Sequence, residues 1–163
     1  MTTLEKIKLK LFDRDSLSRR LSVWRLQSKK IVFTNGCFDL LHLGHIDYLG
    51  KAADEGDILF IGVNTDSSVA GMKKNHPPVN VAEQRTMLLA SFSFVDAVVL
   101  FDEDTPLELI KFIMPDILVK GADYAVRDIA GSDVVLQGGG VVKTIELLPG
   151  YSTSLIFEKI KKG

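Results

Sequence analysis

Five short runs along the chain are almost wholly apolar: residues 31–34, 58–63, 97–100, 117–120 and 141–145. They are rich in Val and Ile and show no polar alternation. Such runs predict strands covered on both faces, as in a parallel sheet. Between them the apolar period changes to that of a helix. Leu43, Ile46, Leu49 and Ala53 form one stripe, and residues 81–92 form a second helix. Thr105-Pro106-Leu107-Glu108 reads as a capping box with proline at the first helical position, opening a helix that ends before Pro115. A last helix opens near Ser152 and turns Leu155, Ile156 and Ile160 inward. Gly138-Gly139-Gly140 reads as a turn into the last strand.

Residues 1–30 have another texture, polar and basic. Leu17, Leu21, Trp24 and Leu26 recur at helical spacing behind a cap at Asp15 or Ser16. That pattern predicts an N-terminal helical extension, 1–30, ahead of a main domain, 31–163. Its stripe must bury against the domain or against a twin subunit. The main domain alternates strand and helix, which predicts an α/β fold: a Rossmann-like, doubly wound parallel sheet of five strands with helices on both faces. Ligands in such sheets bind at the carboxyl ends of the strands, where the strand order reverses.

Composition narrows the function. At 163 residues the chain is about one domain long. Lys and Arg number 20 against 21 Asp and Glu, so the basic excess of a general nucleic-acid binder is missing. Cys37 is the only cysteine, which excludes an internal disulfide and a four-cysteine zinc site. No apolar run reaches membrane-spanning length, and the first 30 residues are too charged for a secretory signal. A cytoplasmic protein without membrane or nucleic-acid partners is expected. The motifs G-x-x-x-x-G-K-[ST], G-x-G-x-x-G and G-x-S-x-G are absent, which disfavours P-loop kinases, dinucleotide dehydrogenases and serine hydrolases.

The chemistry concentrates directly after the first strand, in Thr34-Asn35-Gly36-Cys37-Phe38-Asp39-Leu40-Leu41-His42-Leu43-Gly44-His45. Two histidines three residues apart share one face of the first helical turn. The free N–H groups of a helix start point toward the same place, and Gly44 lets a phosphate approach the backbone. Imidazoles there suit phosphoryl-type transfer, which needs positioning and charge stabilisation more than covalent help. Two loop histidines brought together by chance, or half of a zinc site with only His76 left as a further histidine, are the competing readings.

The stretch 36–45 resembles the signature of the HxGH-motif nucleotidyltransferases, in their cytidylyltransferase-like branch. Phe101-Asp102-Glu103-Asp104-Thr105-Pro106, Val119-Lys120-Gly121-Ala122-Asp123-Tyr124 and Pro149-Gly150-Tyr151-Ser152-Thr153-Ser154 are most similar to the heptose 1-phosphate adenylyltransferases of that branch. The resemblance spans residues 28–162. It implies transfer of the adenylyl group of ATP to a sugar 1-phosphate, with pyrophosphate released and Mg²⁺ arriving on the triphosphate. Cytidylyl transfer to glycerol 3-phosphate is the nearest rival, and a nucleotide-binding module without turnover is a rival of another class.

The same resemblance implies roles for single residues. Thr34, Asn35, Gly36, Cys37 and Phe38 line the phosphates, and His42 and His45 bind the triphosphate and stabilise the transition state. Lys73, with Lys74 as its rival, reaches the α-phosphate. Lys120, Gly121 and Asp123 hold the nucleoside. Tyr151, Ser152, Thr153 and Ser154 form a second phosphate site at a helix start. Arg85 and Asp39 are expected to meet substrate, although Asp39 reads equally as a loop-orienting turn residue. Asp66 reads as a helix cap and Cys37 as a small packing residue. Lys159 stands where relatives commonly carry arginine. The resemblance implies relatives that are typically dimers and often fused to a sugar kinase, so a homodimer with the kinase on a separate chain is expected.

Overall fold

In a computed structural model, which describes residues 1–72 and 77–162, six parallel strands form one sheet. They are β1 (Leu11–Phe12), β2 (Ile31–Gly36), β3 (Ile58–Asn64), β4 (Ala97–Phe101), β5 (Ile117–Gly121) and β6 (Val141–Ile145), in the order β1-β4-β3-β2-β5-β6. All five expected strands are present within two residues of their expected ends. The sixth, β1, pairs Leu11 with Val98 and Phe12 with Val99. Two residues inside a polar stretch are too short to show a period, so β1 left no sequence signal.

The strand order reverses at β2, which pairs with β3 on one side and β5 on the other. Side chains alternate along each strand and divide the core into two layers. Ile31, Phe33, Phe60, Val99 and Leu118 face one way, against α2 (Arg14–Leu26), α6 (Leu107–Ile113) and α7 (Ser132–Gln137). Val32, Leu59, Ile61, Val98 and Val119 face the other way, against α3 (Leu43–Ala53) and α5 (Ala82–Ser91). α1 (Thr3–Lys8) sets Ile7 against that second layer, and α4 (Asp66–Met72) follows β3.

The N-terminal stripe is buried by the chain itself. Leu17, Leu21 and Trp24 sit in the first core layer, with Phe12 edge-on to Trp24 at 6.1 Å, while Leu26 is exposed. That stripe therefore gives no ground for a twin subunit. The helix starts earlier than expected, capped by Asp13 through the Ser16 N–H.

Three further expectations are corrected. The buried face of α3 is Tyr48, Leu49 and Ala52, not the stripe through Leu43 and Ile46, which are exposed. Thr105 does not cap α6: Pro106 takes the cap position without a side-chain bond, and Glu108 pairs with Lys111 instead. The last helix, α8 (Thr153–Lys162), buries no residue, and Leu155 and Ile160 are exposed. Its apolar period is genuine, but nothing in the described chain covers it. β6 likewise is an edge strand whose residues are largely exposed, unlike the four strands covered on both faces. Among the described residues no helix is long and apolar enough to cross a membrane.

Candidate active site

The carboxyl ends of β2 to β6 open into a cavity of about 550 Å³, within the usual range for a small-molecule site. Its centre lies where the strand order reverses. Lys120, at the end of β5, donates from Nζ to the Asn35 carbonyl on β2 at 2.9 Å and lies 5.5 Å from the Tyr124 ring. Burial lowers its pKa from the ordinary lysine value. Phe38, in the loop after β2, has a left-handed backbone (φ 49°), a conformation that costs a residue with a side chain and needs support from its surroundings.

His42 stands just before α3 and His45 on its first turn. Their rings stack at 3.9 Å between centroids, 27° apart. The His42 backbone N–H donates to His45 Nδ1 at 3.3 Å, so neutral His45 carries its proton on Nε2. Burial, and then the neighbouring His42, push the His45 pKa down to about 4, and burial also lowers that of His42. Both are thus neutral hydrogen-bonding groups at pH 7. His42 Nδ1 and Asn35 Oδ1 are buried without a partner among the described residues, the state of a site built to receive a polar ligand. A Cβ on Gly44 would lie 3.0 Å from the His42 ring and 3.1 Å from Tyr151 Cβ, so glycine lets the histidines and the start of α8 close on one point.

The facing wall comes from the residues after β5 and β6. Gly121, Asp123, Tyr151, Ser152 and Thr153 line the cavity with Asn35, Gly36, Cys37, Phe38, His42 and His45. Gly121 leaves room for Asp123, whose Oδ1 would sit 2.5 Å from a Cβ there. Ser152 Oγ accepts from the Leu155 N–H at 3.1 Å and so caps α8. Thr153 lines the cavity, whereas Ser154 is exposed outside it. Thr34 lies beneath the site, fully buried, hydrogen-bonded to the Tyr48 hydroxyl at 2.8 Å. Burial raises the Tyr48 pKa to about 12, so that hydroxyl stays protonated.

Asp39 and Arg85 sit behind the cavity wall. Asp39 accepts the backbone N–H groups of Val79 and Asn80 at 2.9 and 2.8 Å, and Asn80 Nδ2 returns a bond to its carbonyl. Arg85 is wholly buried. Its Nε donates to the Asn80 carbonyl at 3.0 Å, its Nη1 to the Cys37 carbonyl at 2.6 Å and its Nη2 to Asp66 at 2.7 Å. Asp66 does not cap its own helix, a role taken by the Thr65 hydroxyl; it also accepts the Ala82 N–H at the start of α5. Burial opposes its ionisation, but Arg85 and that N–H prevail and hold its pKa below the ordinary value. These residues tie the loop after β2 to α4 and α5. Lys73, Lys74 and His76 lie outside the described residues.

The sequence reading missed Asn64, Asp104, Thr105, Tyr124, Asp128, Leu147 and Leu148, all of which line the cavity. Their shared signal was position, at or just beyond the carboxyl ends of strands. Among the described residues no group of three or more His, Cys, Asp or Glu side chains is placed to hold a metal ion.

The sequence model of the cytidylyltransferase-like family matches residues 33–159. The chain belongs to this family. Among curated family relatives, the bifunctional protein HldE of Campylobacter jejuni subsp. doylei is 55% identical over 141 residues, 86% of this chain and 30% of that protein. The HldE proteins of Wolinella succinogenes and Caulobacter vibrioides are 48% and 51% identical over 93% of this chain, and 31% and 32% of theirs. The chain thus spans under a third of the curated relatives it matches. A solved lipopolysaccharide core biosynthesis protein from Thermoplasma volcanium GSS1 aligns with TM-score 0.58 and 26% identity over 74% of this chain and 97% of that one. Pantoate-beta-alanine ligase from Francisella tularensis, at 15% identity and TM-score 0.57, covers 93% of this chain and 76% of its own and shares the fold.

Proposed function

We propose that this cytidylyltransferase-like chain transfers the adenylyl group of ATP to heptose 1-phosphate, giving ADP-heptose, a lipopolysaccharide precursor, and pyrophosphate. One arrangement carries this reading: the stacked pair His42 and His45 at the start of α3 faces the start of α8, with Ser152 and Thr153, across a single cavity. The HldE relatives support the acceptor.

The sugar phosphate oxygen attacks the α-phosphorus in line while the bond to the bridging oxygen breaks, and pyrophosphate leaves with that electron pair. Negative charge grows on the equatorial and leaving oxygens. Neutral His45 donates from Nε2, His42 supplies a second imidazole, and the unpaired N–H groups of α3 and α8 converge on the same charge. Donors fixed before the reaction need no reorganisation during it. Thr153 takes the β- and γ-phosphates, while Ser152 holds the turn that presents it. Lys120, Gly121, Asp123 and Tyr151 flank the nucleoside, and Lys73 or Lys74 supplies the cation at the α-phosphate. Asp39 and Arg85 act as positioning residues behind the phosphate loop. Mg²⁺ travels with the triphosphate and neutralises part of its charge when bound. The proposal includes a cytoplasmic setting and, on the family resemblance alone, a homodimer, which sedimentation at micromolar concentration would register as twice the chain mass.

Pyrophosphate release with each nucleotide, coupled to mass analysis of the product, tests the reading. ATP with heptose 1-phosphate is expected to give one pyrophosphate per ADP-heptose. Faster release with CTP and glycerol 3-phosphate would overturn the base and acceptor assignment. No release with any nucleotide would make the chain a binding module.

A further inference from the structure

Beyond the phosphate-binding half, the cavity has a second end with a different chemistry. Asp104, Thr105 and Pro106 enter it from the loop after β4, and Asp128 and Ile129 from the turn after β5. The two segments meet because the chain after β5 returns toward α6: Ile129 shares a core layer with Leu109 and Ile110, and a Cβ on Gly131 would strike Ile110 at 2.7 Å. Pro106 and Ile129 are buried and give this end an apolar floor, while Asp104, Thr105 and Asp128 stand exposed above it.

Its polar groups are carboxylates and a hydroxyl, whereas the other end carries two imidazoles, with Lys120 beside the carboxylate of Asp123. The cationisable residues lining the cavity are His42, His45 and Lys120, all on segments that follow β2 or end β5. β4 is two strands from β2 in the sheet, about 10 Å at ordinary strand spacing. The side chains of Asp104 and Thr105 make no hydrogen bond among the described residues. Thr105 is unused even though its sequence context suits a helix cap, since Pro106 holds that position without it. The carboxylates repel a phosphate, and with the hydroxyl they stand as hydrogen-bond acceptors over an apolar floor. They match a sugar ring, whose hydroxyls donate and whose C–H face is apolar.

We propose that this end is a polyol subsite: Asp104 and Thr105 on one side, with Asp128 facing them, bind the hydroxyls of the acceptor sugar. The proposal rests on the reading of the acceptor as a sugar phosphate and adds how it is recognised and which way round it lies. The phosphate points to the histidines and the ring lies toward β4. A site built around hydroxyl groups discriminates strongly against ligands that lack them, because its own polar groups are then left unpaired.

The test is calorimetric binding to the full chain, with heptose 1-phosphate titrated in the presence of a non-hydrolysable ATP analogue. The variants are Asp104→Ala, Thr105→Val and Asp128→Ala, all at exposed positions. Asp104→Ala is expected to weaken heptose 1-phosphate about tenfold or more, as for loss of a charge-assisted hydrogen bond. Affinity for the ATP analogue and for inorganic phosphate should change less than about twofold, since neither reaches this end. Loss of ATP affinity with sugar binding intact would assign these side chains to the ribose and overturn the proposal. So would a wild-type protein that binds no sugar phosphate, or variants that bind it normally. Wild-type binding without pyrophosphate release would refute adenylyl transfer while leaving the subsite in place.

Discussion

Replacing Arg85 by lysine is expected to remove about 2–4 kcal/mol of stability and to lower kcat with little change in KM for the sugar phosphate. The side chain is wholly buried and serves three acceptors: the Asn80 carbonyl, the Cys37 carbonyl and Asp66. A lysine ammonium is a point charge without the planar fork, so it reaches the carboxylate and abandons both carbonyls. Each carbonyl that loses a charged donor costs about 1–2 kcal/mol, which gives the total. The Asp66 side chain is 43% exposed, so its pairing is screened and adds little. The Cys37 carbonyl is the sensitive one, because it precedes the left-handed Phe38 and anchors the loop proposed to carry the phosphates. A shift of about 1 Å in such a loop lowers turnover by about a hundredfold. Urea unfolding reads the first effect and steady-state kinetics the second. Unchanged stability with a tenfold rise in sugar phosphate KM would mean that Arg85 touches substrate, and the positioning role would be refuted.

His42→Ala and His45→Ala should each lower kcat by about 10²–10³ with little change in the unfolding midpoint, as for loss of a preorganised charge stabiliser; full turnover in either variant would remove that residue from the mechanism. Because the folded-state pKa of His45 is lowered to about 4 from 6.5, the unfolded chain binds its proton first as pH falls. The stabilising contribution is complete above the unfolded value and is lost as pH drops toward the folded one. The kcat should accordingly show no His45 step between about pH 6 and pH 8; a rate that rises tenfold on acidification through that range would show that the imidazolium is required. Gly44→Ala should cut kcat while sparing helix stability, since alanine favours the helix but its Cβ displaces the His42 ring; parallel loss of both by kinetics and thermal unfolding would contradict this. Thr153→Val should cost about 1.5–3 kcal/mol of ATP affinity and far less for the ADP-sugar product; equal losses in calorimetry would show that Thr153 only shapes the helix start.

The legible part of the fold was the part governed by repetition. Apolar runs such as 58–63 announced strands buried on both faces, and the His42–Gly44–His45 spacing placed both imidazoles on one turn. Single events were not legible. β1 is two residues long, and the face of α3 slipped because Leu43 and Ile46 match the period but not the neighbour. α8 carries a correct amphipathic pattern that faces no partner among the described residues, since a pattern specifies a face and not what covers it. Arg85 and Asp66 are 19 positions apart, and a charged residue in a helix gives no sign of being wholly buried. The second end of the cavity was hidden for a related reason: Asp104 and Asp128 come from separate loops, and only packing against α6 brings them together.

α8 carries Thr153 to the wall of the cavity, yet none of its ten residues is buried. A helix of that length is marginal on its own in water, and here almost no core packing adds to it. Under the proposed function, part of the free energy of nucleotide binding goes into holding the helix, so the measured affinity would be the intrinsic one multiplied by the fraction of molecules in which α8 is formed and seated. Substitutions at its far end, around Lys159 to Lys162, then alter nucleotide affinity from a distance simply by changing helix propensity. Any surface that came to rest on Leu155, Phe157 and Ile160 would act as an activator without ever touching the ligand.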